Sequence, residues 1–183
     1  KKKCFLELFS GTGRVSSSIR SLGFAVISFD VFYGTEFDLL RPCVVQLING
    51  WIRGGVVLGC FFGTPCSSWS LARRGPAASS WGPLRSLDFI YGLPGLSPKD
   101  QAKVQLGNET MLVTVNVIKQ CLKFGLPCIL ENPVSSRLFH APEVLSLFQH
   151  PTFNRHCCDQ CRFSSPWRKR TGICTWNCQD SLV

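Results

Sequence analysis

The sequence predicts an α/β domain whose open, mostly parallel sheet is doubly wound, with helices on both faces, and three observations carry that prediction. Four short apolar runs, Cys4 to Phe9, Phe24 to Val31, Val56 to Phe62 and Pro127 to Leu130, are bounded by Gly, Pro or acidic residues, as buried strands are. Stretches with helical spacing separate them. The 183 residues, 45% hydrophobic and 17% charged, suffice for one buried core and exclude a disordered chain.

The elements follow in order. The first run enters a Gly-rich turn, after which Val15, Ile19 and Leu22 share one helical face. Beyond the second run, Pro42 opens a helix carrying Val45, Ile48 and Ile52 that stops at Gly54 and Gly55. A longer helical stretch carries Met111, Val115, Ile118 and Leu122, ends near Gly125 and feeds the fourth strand. Pro142 opens a short helix with Val144, Leu145 and Phe148. Residues 67–100, rich in Gly, Pro, Ser and Arg, break the alternation and read as a long functional loop. From Thr152 onward strand-like residues surround the turn Ser164-Ser165-Pro166, which predicts a C-terminal β hairpin or edge strands. One domain, 1–183, is expected.

A net charge of +9 favours polyanionic partners such as nucleic acid. No apolar stretch approaches the ~20 residues that span a bilayer, and Lys1, Lys2 and Lys3 precede a segment broken by Glu7, so a soluble chain without membrane contact is expected. Eleven cysteines are an odd number, and several sit in strand-like runs, which points to reduced thiols and an intracellular location, nuclear in a eukaryote. Cys158-x2-Cys161 and Cys174-x3-Cys178, with His156 nearby, have spacings near those of zinc ligands. The strand-like alternation around them favours no metal.

Chemistry concentrates at the strand ends. Phe9-Ser10-Gly11-Thr12-Gly13 joins the first strand to a helix, where backbone can approach a ligand. Asp30 ends the second strand about 20 residues on, where a carboxylate can accept ribose hydroxyl hydrogen bonds. Ser16 stands where a third glycine would complete a pyrophosphate loop, which disfavours a dinucleotide. The third strand ends in Gly63-Thr64-Pro65-Cys66-Ser67-Ser68-Trp69-Ser70 and the fourth in Glu131-Asn132-Pro133. Singly, Cys66 reads as a structural thiol and Glu131 as a paired carboxylate. Together, at two strand ends, they form a candidate site.

Leu6-Glu7-Leu8-Phe9-Ser10-Gly11-Thr12-Gly13, then the Pro65-Cys66 loop, then Glu131-Asn132-Pro133, resemble in that order the cofactor loop, nucleophile loop and Glu-Asn motif of DNA cytosine-5 methyltransferases. Gln160-Cys161-Arg162 is similar to that family's Gln-x-Arg element. The resemblance implies a Rossmann-like methyltransferase fold binding S-adenosylmethionine. Phe9, Gly11 and Gly13 would line the methionine and ribose side, Asp30 the ribose, Asp38 the adenine amine, and Pro65 would face cofactor and base. It also implies that Cys66 adds to carbon 6 of cytosine, that Glu131 hydrogen-bonds the ring, and that Arg162 holds the base carbonyl.

Arg73, Arg74 and Arg85, interleaved with Trp69 and Trp81, and Arg168, Lys169 and Arg170 beside Trp167, are the expected contacts to nucleic acid. The family's Pro-Pro-Cys-Gln and Glu-Asn-Val are altered, at Thr64, Ser67 and Pro133. Only 21 residues follow Arg162, too few for the family's target-recognition domain, which implies a catalytic fragment served by a separate recognition region or partner, or a minimal enzyme. Two alternatives stand beside DNA methylation. One is a catalytically inactive module that binds nucleic acid or a partner protein; the other is an RNA cytosine-5 methyltransferase.

Overall fold

The computed structural model describes residues 3–71, 82–163 and 169–178, with backbone alone at 162 and 163. Each apolar run becomes a strand and each helical spacing a helix: β1 (Cys4–Leu8), α1 (Arg14–Ser21), β2 (Val26–Phe29), α2 (Pro42–Arg53), β3 (Val57–Phe62), α3 (Pro98–Lys123), β4 (Cys128–Pro133), α4 (Pro142–Leu147), β5 (Asn154–Asp159) and β6 (Arg170–Trp176). The sheet order is β2-β1-β3-β4-β6-β5. β1 to β4 run parallel, and β6 runs antiparallel to both its neighbours. The chain leaves β1 in one direction to β2 and returns past it to β3, so the order reverses between β1 and β3. Right-handed crossovers then put α1 on one face and α2 with α3 on the other. α2 and α3 do pack together, and Asn49 donates to Asn116 between them at 3.0 Å.

Leu6, Leu8, Cys60, Phe62, Cys128 and Leu130 of the parallel strands are buried, covered by Ile48 and Ile52 of α2 and Met111, Val115 and Ile118 of α3. Each large aliphatic or aromatic side chain so buried contributes about 1.5–3 kcal/mol. At the other end Phe148, Phe153 and Trp176 stack, and the Trp176 indole donates to the Leu147 carbonyl at 2.9 Å. Among the described residues no helix is long and apolar enough to cross a membrane.

Three features differ from the sequence expectation. The helix after the long loop is longer than the stretch the apolar spacing marked from Met111 to Leu122, because α3 already begins at Pro98, within the expected loop of residues 67–100. Its first turns are polar and carry no apolar stripe. Their signal is the cap: Ser97 accepts from the Asp100 backbone at 3.2 Å and its hydroxyl donates back to the Asp100 carboxylate at 3.0 Å. The C-terminal strands pair with each other, yet β6 also inserts between β4 and β5. That insertion prolongs β4 through the Glu-Asn-Pro motif, where Glu131 faces Ile173 and Asn132 faces Gly172. Gly107, in the middle of α3, is the third feature. A glycine there costs roughly 1 kcal/mol against alanine. A Cβ would collide with the Ser68 hydroxyl and lie 2.9 Å from the Arg85 guanidinium, so the glycine forms a notch that admits the loop after Cys66.

Candidate active site

The carboxyl ends of β1, β2 and β3 enclose a cavity of about 470 Å³ at the topological switch point, where open α/β sheets bind ligands. Phe9 leaves β1 with φ 57°, a left-handed conformation that costs a bulky residue roughly 1–2 kcal/mol. Gly11 (φ 51°) and Gly13 (φ 67°) continue this turn, which Tyr33 straps by donating to the Gly11 carbonyl at 3.1 Å. Asp30 braces it from β2: Oδ2 accepts the Gly11 N–H at 2.8 Å and Oδ1 the Phe32 N–H at 3.1 Å. Each oxygen retains a lone pair. Asp38 accepts the Leu40 N–H at 2.9 Å. Phe9, Asp30, Asp38 and Pro65 all line the cavity, as does Phe32, which is 84% exposed and free to cover a flat apolar group. Gly11 and Gly13 shape the adjoining turn, and the Cβ direction of Gly11 points into open space.

Carboxylates for hydroxyl groups, an exposed aromatic ring for a base and an open glycine turn fit S-adenosylmethionine, the group implied by the sequence. Sequence reasoning gave Glu7 no separate role. It is 3% exposed and its Oε2 accepts the Ser16 N–H at 2.7 Å, fixing α1 against β1 beneath the turn. Gly63 lets the two loops approach closely, since a Cβ there would sit 2.9 Å from the Phe9 carbonyl oxygen. Gly63→Ala is therefore expected to destabilise the fold by about 1–3 kcal/mol, read from denaturant unfolding.

Cys66 follows Pro65 on the turn after β3 and is partly exposed, so the thiol is reachable. The turn is rigid. The Cys66 carbonyl accepts the Trp69 and Ser70 N–H groups at 3.0 and 2.8 Å, and the buried Asn132 side chain donates to the Thr64 carbonyl at 2.7 Å. Thr64 and Thr114 share a further hydrogen bond of 2.7 Å. Asn132 thus ties the motif on β4 to the thiol loop on β3, a positioning role that the short motif alone does not reveal. Glu131 precedes it, and its Oε1 pairs with the Lys169 ammonium at 3.2 Å. Burial pushes the Cys66 thiol above its ordinary value; the Lys169 charge opposes that rise and the Glu131 charge adds to it. The Glu131 carboxylate and the Lys169 ammonium thus lie near enough to Cys66 for their charges to act on its thiol.

The basic residues divide. Arg85, expected to contact nucleic acid, is 2% exposed, and this corrects the expectation. Its five N–H groups are all spent inside the protein. Nε donates to the Ser68 carbonyl, one terminal nitrogen to the Ile90 carbonyl and Asn108, and the other to the Ser68 hydroxyl and the Val104 carbonyl, at 2.7–3.1 Å. The guanidinium also stacks 3.4 Å from the Trp69 ring centre. Lys169 pairs with Glu131 at 3.2 Å while its side chain remains 42% exposed. Arg170 is exposed at the start of β6. Arg162 lies in the turn Gln160–Phe163, and its side chain lies outside the described residues, as do Arg73, Arg74, Arg168, Trp81 and Trp167. Cys158 and Cys174, weighed for zinc, oppose Thr171 and Arg155 on the β5–β6 ladder, and Cys178 donates to main-chain carbonyls. Among the described residues no group of three or more His, Cys, Asp or Glu is arranged to hold a metal ion.

No family model matches the chain, and no curated protein does. Among solved structures it is similar to the Entamoeba histolytica methyltransferase EhMeth, at 13% identity and a TM-score of 0.53, covering 100% of this chain and 55% of that one. It also matches the S. pombe Dnmt2 methyltransferase at 13% identity and a TM-score of 0.47, covering 98% of this chain and 53% of that one. The chain spans about half the length of these structures. The likeness to EhMeth extends over the full length of this chain and shows a shared fold, an α/β sheet ending in an antiparallel strand pair.

Proposed function

We propose that the chain is an S-adenosylmethionine-dependent methyltransferase acting on carbon 5 of cytosine in DNA, through a covalent adduct with Cys66. What supports this reading is that Cys66, just beyond β3, and Glu131, on the neighbouring strand β4, are near enough for the Glu131 charge to act on the thiol, with Pro65 on the cavity wall. Phe9, Asp30, Asp38 and Phe32 would hold the cofactor, which when bound supplies an electrophilic methyl group.

Carbon 5 of cytosine is a poor nucleophile until a thiolate adds to carbon 6. Cys66 donates the electron pair for that bond, and the ring's double-bond pair moves toward carbon 5. Glu131 hydrogen-bonds the ring edge and Lys169 stabilises the charge gathered there. After transfer the carbon 5 proton passes to water, its bonding pair re-forms the carbon 5–carbon 6 double bond, and the Cys66–carbon 6 bond breaks with its pair returning to the thiolate. A cytosine within a duplex must first be flipped out, at a cost of a few kcal/mol.

Incubation of the protein with S-adenosylmethionine labelled in its methyl group, and with DNA or RNA, tests this reading. Label is expected in DNA cytosine. Label in RNA alone would transfer the same chemistry to the other substrate, and label in neither would leave a binding module.

The pH profile is a further prediction. The thiolate is the reactive form, so the rate of adduct formation rises with pH until it passes the thiol's raised pKa, then levels. Lys169→Met removes the charge that favours the thiolate and is expected to move the rising limb to higher pH, read from trapping rates between pH 6 and about 11. A Lys169 that served only packing would lower the plateau without moving the limb.

A further inference from the structure

A second cavity, of about 440 Å³, lies along the first turns of α3 and is absent from the chemistry above. Gln101, Gln105 and Asn108 share one helical face there and look across at the backbone of residues 92–96, with Tyr91 at one end. None of its lining residues is charged at neutral pH. The Gln101 amide has no hydrogen-bond partner among the described residues, and Gln105 spends one N–H on Glu109 at 2.8 Å, leaving its carbonyl and second N–H unused. Asn108 is occupied in holding the wall, donating to the Tyr91 carbonyl at 3.1 Å and accepting from Arg85 at 2.7 Å.

That wall is built rather than loose. Gly92 has φ 132° and lies so close to α3 that a Cβ would be 2.7 Å from Val104. Leu93 donates to the Leu84 carbonyl at 2.9 Å. Arg85 joins this wall, through Asn108, Ile90 and Val104, to Ser68, two residues after Cys66. The cavity and the thiol loop are therefore parts of one rigid unit. On the same loop Leu87, Phe89 and Tyr91 are 58%, 51% and 45% exposed, apolar surface that the core does not use.

Unspent amides without charge, beside an exposed aromatic ring, suit a flat neutral ligand with donors and acceptors on its edge. The paired donor and acceptor of a glutamine amide match the N6 and N7 edge of adenine. Resting on the reading of the chain as a nucleic-acid methyltransferase, we propose that this cavity binds a nucleobase flanking the target cytosine, adenine best, and so sets sequence context.

The test uses oligonucleotides containing 5-fluorocytosine, with each of the four bases placed at each of two positions on either side. Adduct yield and, in parallel, equilibrium binding by fluorescence anisotropy are measured for the wild type, Gln101→Ala and Gln105→Ala. Both glutamines are exposed, so the variants are expected to unfold at the wild-type temperature. The expected result is an adenine preference of about tenfold at one flanking position, flattened to about twofold or less in the variants. A wild type with no flanking preference in binding, or one kept unchanged in both variants, overturns the proposal. Absence of any adduct with a preference still seen in binding, and lost in the variants, supports the cavity while removing the cytosine chemistry.

Discussion

Cys66→Ser is expected to lower methyl transfer by about three orders of magnitude or more, with thermal unfolding unchanged. The hydroxyl is close in size to the thiol, and the bonds that set the turn, from Trp69 and Ser70 to the residue 66 carbonyl, belong to the backbone. What is lost is acidity. A partly exposed thiol whose rise from burial is opposed by the Lys169 charge yields some thiolate near neutral pH, whereas a serine hydroxyl in the same place yields almost none. Single-turnover measurements with excess enzyme separate this loss from weaker substrate binding. Activity within tenfold of wild type would mean that carbon 6 is activated without Cys66.

Arg85→Met is expected to cost about 3–5 kcal/mol of stability. Five acceptors, on Ser68, Ile90, Val104 and Asn108, would lose their donors in a buried setting. Arg85→Lys should recover little, because an ammonium has three donors and no planar face for Trp69. Burial lowers the guanidinium pKa to about 10, so it remains charged near neutrality with neutral acceptors as its hydrogen-bond partners. Urea unfolding of both variants checks this, and a loss under about 1 kcal/mol in each would contradict the network. The adduct rate should fall with stability, since Ser68 is held by this side chain and lies on the thiol loop.

Much of the frame was legible because its signals are local. Apolar runs bounded by Gly and Pro marked β1 to β4, and Pro42 and Pro142 marked the helix starts that α2 and α4 adopt. Cys66 and Glu131 were legible by position at strand ends, which a parallel sheet brings to one edge. Long-range properties were not. Arg85 lies in a polar, glycine-rich segment, and nothing near it in sequence announces that Gly107 and Ser68 form its pocket. Lys169 sits within a basic run that reads as surface, yet β6 enters between β4 and β5 and so delivers it to Glu131. The first half of α3 was hidden because its buried face holds Val104, Gly107 and Thr110 rather than a continuous apolar stripe.

The most direct measurement is mass spectrometry of the protein after incubation with S-adenosylmethionine and DNA containing 5-fluorocytosine. A stable protein–DNA adduct whose fragmentation maps the linked base to Cys66, and which Cys66→Ser abolishes, is the predicted result. No adduct, or one carried by another of the eleven cysteines while Cys66 still reacts freely with alkylating reagent, would contradict the proposed chemistry.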